Sequence, residues 1–187
     1  MDVQGKTVLV IGLKRTGVSV TRFVASRGGR VRITDRQESA ALAKEIESLT
    51  DVDCELWAGT QVEEVVAGVD IVIPSPGVPM DAPLLREAGK RGIPIWSEIE
   101  LVFRFLPCPL LAVTGTNGKS TTTSLLGAML QQSGQRVFIG GNLGTPLIDA
   151  LAEPYDVAVA EVSSFQLEWV DQLRPHIGVF LNLTEDH

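Results

Sequence analysis

Short apolar runs recur along the chain. Each is followed by a glycine- or proline-bearing turn, then by a stretch with apolar residues three and four apart. A short continuous apolar run fits a strand buried on both faces, and 3–4 spacing fits the stripe of an amphipathic helix. Alternation of the two is the signature of an α/β fold built on parallel sheets. The pattern predicts strands over 7–11, 30–34, 54–57, 70–73 and 93–96, with helices over 18–27, 40–49 and 82–91 between them. A short helix is predicted over 97–105, with Ser97 as N-cap and the acids Glu98 and Glu100 in its first turn, where the helix dipole favours them. Pro107 and Pro109 disfavour regular structure on either side and mark the expected domain boundary. Beyond them, strands over 110–114, 137–139, 157–162 and 177–181 alternate with a helix over 120–132 and short helical segments over 146–151 and 165–169. Leu125, Leu126, Met129 and Leu130 are assigned to the apolar face of the long helix. The expected units are 1–106 and 107–187. The second is small for a domain of its type, and the chain is expected to be part of a longer protein.

Composition narrows the partners. The net charge is −7, from 16 basic and 23 acidic residues. No basic field is available to attract nucleic acid or an anionic membrane surface, so anionic ligands need local cations, backbone N–H groups or a metal. Cys54 and Cys108 have no metal-binding spacing and read as reduced thiols. No apolar run reaches transmembrane length, and the N-terminus lacks the pattern of a secretory signal. A cytoplasmic monomer is expected.

The strongest chemical signal is Gly115-Thr-Asn-Gly-Lys-Ser-Thr121, which follows an apolar strand and opens a helix. Gly115 and Gly118 let the backbone curl with its N–H groups inward, and the helix N-terminus adds positive partial charge. In such a loop Lys119 reaches the β- and γ-phosphates of a nucleotide and the Ser120 hydroxyl holds Mg²⁺. The full pattern G-x-x-x-x-G-K-[ST] would begin at Val113, so this is a shortened variant. The competing reading is a glycine-rich turn ahead of an ordinary helix. Glu161 ends the apolar strand 157–160. Its carboxylate therefore emerges at a strand's C-terminal end beside the loop, as a magnesium ligand must, although a capping or salt-bridged acid would sit there too.

A second glycine turn, Gly12-Leu-Lys-Arg-Thr-Gly17, also joins a strand to a helix. Lys14 breaks the G-x-G-x-x-G fingerprint of a dinucleotide site, yet Asp35 closes the next strand where an NAD fold places its ribose-binding acid. Three readings remain open here: NAD, the diphosphate of another nucleotide with Lys14 or Arg15 adding charge, and a tight packing turn without a ligand. Ser75-Pro-Gly-Val-Pro79 ends a further strand and is either a rigid turn or a second ligand loop.

Taken together, these motifs resemble those of the Mur ligases, which build the peptide stem of peptidoglycan. The resemblance runs the length of the chain. It includes both glycine turns, Ser75-Pro-Gly-Val-Pro79, Ser97-Glu-Ile-Glu-Leu101, Gly140-Gly-Asn-Leu-Gly144, Glu161-Val-Ser-Ser-Phe-Gln-Leu-Glu168 and Asn182-Leu-Thr-Glu-Asp-His187. The run from Glu161 discriminates most within the family and resembles that of the member adding D-glutamate to UDP-N-acetylmuramoyl-L-alanine. The resemblance implies an α/β protein with a Rossmann-like, parallel-sheet, UDP-substrate-binding domain over 1–106. The first part of a P-loop ATPase-like central domain would follow over 107–187, with the C-terminal domain absent and the fragment inactive by itself. It implies ATP and Mg²⁺ as cofactors. Leu13, Lys14, Arg15, Thr16 and Gly17 would hold the UDP diphosphate. Asp35 and Arg36 would face the uridine end, with Ser75 and Gly77 near the uracil or ribose. Asn142 would contact the muramoyl–alanine part, with Ser163 also on the UDP-substrate side. Gly115, Thr116, Asn117, Gly118, Lys119, Ser120 and Thr121 would bind ATP. Ser120 or Thr121 with Glu161 would hold one Mg²⁺, and His187 would help hold a second. Lys119, Glu161 and His187 would be catalytic. The rival functions are an NAD-linked oxidoreductase, which leaves the second glycine loop without a role, and a regulatory P-loop ATPase without affinity for a UDP-sugar.

Overall fold

The computed structural model describes residues 2–59 and 63–184. It divides into two compact units, 1–98 and 99–187.

In the first unit, β1 (Thr7–Ile11), β2 (Arg30–Asp35), β3 (Cys54–Ala58) and β4 (Ile71–Pro74) form one parallel sheet in the order β3-β2-β1-β4. Helix α1 (Arg15–Ser26) joins β1 to β2, and its Val20 and Val24 are buried. A 3₁₀ turn at Ser39–Leu42 leads into the short α2 (Ala43–Glu47), in place of the single helix predicted over 40–49. Helix α3 (Pro83–Lys90) starts on a proline, whose missing N–H costs nothing in the first turn. The strand predicted over 93–96 reduces to one parallel bridge, Val72 to Ile95. Only the Pro94 carbonyl and the Trp96 N–H pair with Val72, and Pro94 has no N–H with which to extend the ladder. β1 lies between β2 and β4, so the chain's sheet order reverses there. In open α/β sheets the crevice at such a reversal, beyond the strands' carboxyl ends, is where ligands lie.

The second unit includes most of α4 (Glu98–Phe105). It continues with β5 (Leu110–Thr114), α5 (Lys119–Gln132), β6 (Val137–Gly141), β7 (Val157–Glu161) and β8 (Ile177–Phe180). The sheet is parallel, in the order β6-β7-β5-β8. Its core gathers Leu111, Val137, Val157 and Val159, with Leu126, Leu130 and Ile139 packed against them. The apolar face of α5 is narrower than its sequence suggests. Gly127 lies so close to Ile139 that a Cβ would come within 2.2 Å of it, which turns Leu126 and Leu130 inward. Leu125 and Met129 stay on the flank, 60% and 62% exposed.

The division between the units precedes the proline pair at Pro107 and Pro109 because of one buried acid. Glu100 is fully buried and accepts hydrogen bonds from the backbone N–H groups of Asp171, Gln172 and Leu173 and from Arg104. These bonds tie α4 to the segment before β8. The first turn of α4 therefore serves the packing of its own unit as well as the helix dipole.

Candidate functional site

Three strand ends of the first unit converge on one cavity. Gly12 follows β1 with φ +94°, a conformation glycine adopts freely. A Cβ there would meet the Ser75 hydroxyl at 2.9 Å, and that hydroxyl donates to the Gly12 carbonyl at 3.0 Å, joining the ends of β1 and β4. Gly17 admits no Cβ either, since one would come within 2.0 Å of the Gly12 oxygen. The turn is thus as tight as the chain allows, and it brings the N-terminus of α1 to the sheet edge. The N-cap residue, Lys14, makes no side-chain capping bond to that terminus, and a helix N-terminus favours an anion.

The cavity has a volume of about 470 Å³, and Lys14, Arg15, Thr16, Asp35, Arg36, Ser75 and Gly77 all line it. Seven residues singled out from sequence at three separate places thus share one site. Leu13 and Gly17 do not line it. Leu13 is fully buried, and its N–H donates to Asp35 Oδ2 at 2.7 Å. The second Asp35 oxygen accepts from the Gln37 N–H at 2.8 Å. Asp35 therefore closes the turn structurally, and Gln37, which also lines the cavity, is a wall residue that sequence reasoning missed. Lys14 Nζ stands 3.4 Å from Glu45, an exposed pair of small energetic weight that an anion can displace.

In the second unit, β5 delivers the chain to the loop 115–118, and α5 begins at Lys119. Gly115 (φ +138°) and Gly118 (φ +85°) take the conformations that the loop demands. Lys119 Nζ donates to the carbonyls of Gly115 and Thr116, at 2.7 and 2.8 Å, so its ammonium is folded over the loop. Ser120 and Thr121 are exposed in the first turn of α5.

Because β5 is flanked by β7 and β8, its carboxyl end has a neighbour on each side. On one side Glu161 sits in register with Val113 and is 3% exposed. Its Oε1 accepts from Asn142 Nδ2 at 2.8 Å, while Oε2 is buried without a hydrogen-bond partner among the described residues. A buried carboxylate oxygen left bare costs free energy unless a cation or donor comes to it. Gly141, at φ +97°, lets β6 approach, since a Cβ there would strike the Glu161 carbonyl. Ser163 lies two residues beyond Glu161, where both its N–H and its hydroxyl donate to Gln166 Oε1. On the other side of β5 lies Asn182, the first residue of the Asn182–His187 motif. His187 is outside the described residues.

Among the described residues no group of three or more His, Cys, Asp or Glu side chains could hold a metal. A single carboxylate is nonetheless what a magnesium site that also uses substrate phosphates requires. Cys54 and Cys108 are free and half-buried, and burial pushes both thiols up from their ordinary range, away from nucleophilic character. No helix among the described residues is long and apolar enough to cross a membrane.

Two family models divide the chain at nearly the same place as the structure. A Mur ligase MurD-like N-terminal domain matches residues 6–97, and a Mur ligase middle domain matches residues 113–187. The chain belongs to the Mur ligase family. It is 46% identical over 189 aligned residues to the UDP-N-acetylmuramoylalanine–D-glutamate ligase of Trichlorobacter lovleyi, and 49% identical over 190 to that of Geotalea uraniireducens. Both alignments take in all of this chain and 42% of the relative, so the chain spans under half the length of these proteins. Among solved structures, the UDP-N-acetylmuramate:L-alanyl-gamma-D-glutamyl-meso-diaminopimelate ligase from Neisseria meningitides matches with a TM-score of 0.58. That match has 19% identity and covers 97% of this chain and 62% of the other, a likeness of fold alone.

Proposed function

We propose that this chain is the UDP-substrate-binding and nucleotide-binding portion of a ligase that adds D-glutamate to UDP-N-acetylmuramoyl-L-alanine in the cytoplasm, as a monomer. The observation that carries the reading is the bare, buried Glu161 oxygen beside the strand that feeds the Gly115–Thr121 loop. A phosphate loop paired with one inward carboxylate is the donor set of a magnesium–nucleotide site. The names of the 46–49% identical relatives support the choice of amino acid and UDP-substrate.

In this reading the alanyl carboxylate of the substrate attacks the γ-phosphate of ATP, giving an acyl phosphate and ADP. The amine of D-glutamate then attacks the acyl carbon, and phosphate leaves. Activation is needed because a carboxylate is a poor electrophile. The residues of this chain act by positioning and charge. The N–H groups at the start of α5 bind phosphate oxygens. Lys119 exchanges its bonds to the loop carbonyls for bonds to phosphate and neutralises charge there. Ser120 or Thr121 and Glu161 would hold a magnesium ion, which supplies electrostatic stabilisation of the phosphates. Asn142 fixes the rotamer of Glu161 through its bond to Oε1, leaving Oε2 free to ligate. In the first unit, Lys14, Arg15 and Arg36 give the cavity a local positive balance against the single Asp35, and the α1 N-terminus favours a diphosphate.

Calorimetry with the chain and separate solutions of UDP-N-acetylmuramoyl-L-alanine, NAD and ATP with Mg²⁺ tests this reading. Heat is expected with the first and the last. Heat with NAD and none with the UDP compound would overturn the assignment of the first cavity, and a nucleotide affinity indifferent to Mg²⁺ would overturn that of the second. No ligation product is expected from the 187 residues alone.

A further inference from the structure

A phosphate loop is ordinarily described as a row of inward backbone N–H groups, yet two of those in this loop are occupied. The Thr116 N–H donates to the Asn182 carbonyl at 3.1 Å, and the Asn117 N–H donates to Asn182 Oδ1 at 2.9 Å. The Asn182 side chain returns the bond, its Nδ2 donating to the Asn117 carbonyl at 3.0 Å. One planar amide thus pairs with both polar groups of one loop residue, as a neighbouring strand would. Two residues further on the pairing continues, with the Thr184 N–H donating to Thr116 Oγ1 at 3.1 Å and that hydroxyl donating to the Thr184 carbonyl at 3.3 Å. The approach is close enough to dictate a glycine. A Cβ on Gly115 would lie 3.1 Å from both the N and the O of Asn182.

We propose that Asn182 is the positioning residue of the nucleotide loop: its amide clasps Asn117 and its main chain clasps Thr116. The tip is thereby held so that the carbonyls of Gly115 and Thr116 face Lys119, and the N–H groups of residues 118–121 face the phosphates. The assignment divides the loop into two parts. Thr116 and Asn117 are held by Asn182 and give no N–H to the ligand. Gly118, Lys119, Ser120 and Thr121 are the helix-terminal donors that the α5 ladder leaves unused, its first bond running from the Thr122 N–H to the Gly118 carbonyl. Without the Asn182 amide the tip loses both bonds that hold Asn117 to the chain beyond β8, and a flexible loop binds less tightly because it must be ordered on binding. The role of the clasp in binding rests on the nucleotide-loop reading above; the clasp itself does not.

The test uses the 187-residue chain, ATP with Mg²⁺ as probe, and hydrogen exchange of the loop amides without ligand. Asn182→Ala is expected to weaken ATP binding on the order of 10-fold, since two hydrogen bonds of ordinary net strength are lost. It should also speed exchange at Asn117 while leaving the middle of α5 and the binding of the UDP compound unchanged. Asn182→Asp carries a signature that a merely structural role would not produce. Its carboxylate accepts from the Asn117 N–H but repels the Asn117 carbonyl, and protonation restores a donor. Its binding deficit relative to the unsubstituted chain should therefore shrink as pH falls from 6 toward 4, approaching the ordinary aspartate value of about 3.9. Normal ATP binding by Asn182→Ala with unchanged Asn117 exchange would overturn the proposal, as would a pH-independent deficit in Asn182→Asp. If Asn182→Ala does not fold, Asn182→Asp carries the decision. Failure of the unsubstituted chain to bind ATP would overturn the nucleotide-loop reading instead, and loop exchange in the two variants would still decide whether the clasp exists.

Discussion

Glu100→Ala should unfold the second unit selectively. The carboxylate is fully buried, and Arg104, its i+4 partner, has a side chain only 5% exposed, with Nε and Nη2 at 2.7 and 2.6 Å from Glu100 Oε1. Removing one member of a buried ion pair costs about 3–5 kcal/mol, because the other charge is left uncompensated. Asp171 remains 2.9 Å from Arg104 and is 67% exposed, so it offsets part of that loss and brings this share to about 2 kcal/mol. Three backbone N–H groups, those of Asp171, Gln172 and Leu173, also lose their acceptor. At about 1 kcal/mol each, the low end for a loop that water can reach, they add about 3 kcal/mol. The total of about 5 kcal/mol equals the whole stability of a marginal domain. With an m-value of about 1.5 kcal/mol/M, the urea midpoint of the second unit should fall by about 3 M. Hydrogen exchange in a urea series reads the two units separately, through peptides of β7 and α5 against peptides of β1 and β4. Glu100→Gln, which keeps the shape and one acceptor oxygen, should lose about half as much. β7 protection within about 0.5 kcal/mol of the parent in Glu100→Ala, the range of an ordinary surface change, would refute this role for Glu100. An equal loss in β1 and β4 would refute it as well.

Lys119→Ala should lower ATP affinity by at least 10-fold while calorimetry with the UDP compound stays unchanged, since the two ligands use different loops; equal ATP affinity would contradict the loop assignment. Gly17→Ala should destabilise the first unit by about 3 kcal/mol, because the new Cβ would come within 2.0 Å of the Gly12 oxygen and backbone must shift, and it should also abolish UDP-compound binding; a normal urea midpoint would show that the turn has slack. The Arg32 guanidinium and then the Trp57 indole hold the Glu55 carboxyl below its usual range. A depressed folded pKa means stability present above the unfolded value of about 4.3 and lost as pH falls through the lower folded value. Glu55→Gln should therefore flatten the acid limb of a stability-versus-pH curve for the first unit, and an acid limb unchanged by the substitution would refute the coupling.

Local patterns in the chain determined a good deal. Strand runs such as 110–114 and helix starts such as Lys119 follow from apolar periodicity and from glycine at turns, which act over a few residues. The chemistry of Gly115–Thr121 and the strand-end position of Glu161 were legible for the same reason. Tertiary structure decided what joins residues far apart. That Asp35 closes the Leu13 turn, 22 residues away, required the β1–β2 register. That Glu100 caps three N–H groups more than 70 residues on, and that Asn182 clasps Asn117 from 65 residues away, required the strand order that sets β5 beside β8. Acidic and amide side chains look alike in sequence whether they face water or a buried backbone. Only the packing of strands decides which of them lose their water and must find N–H groups or a cation in its place.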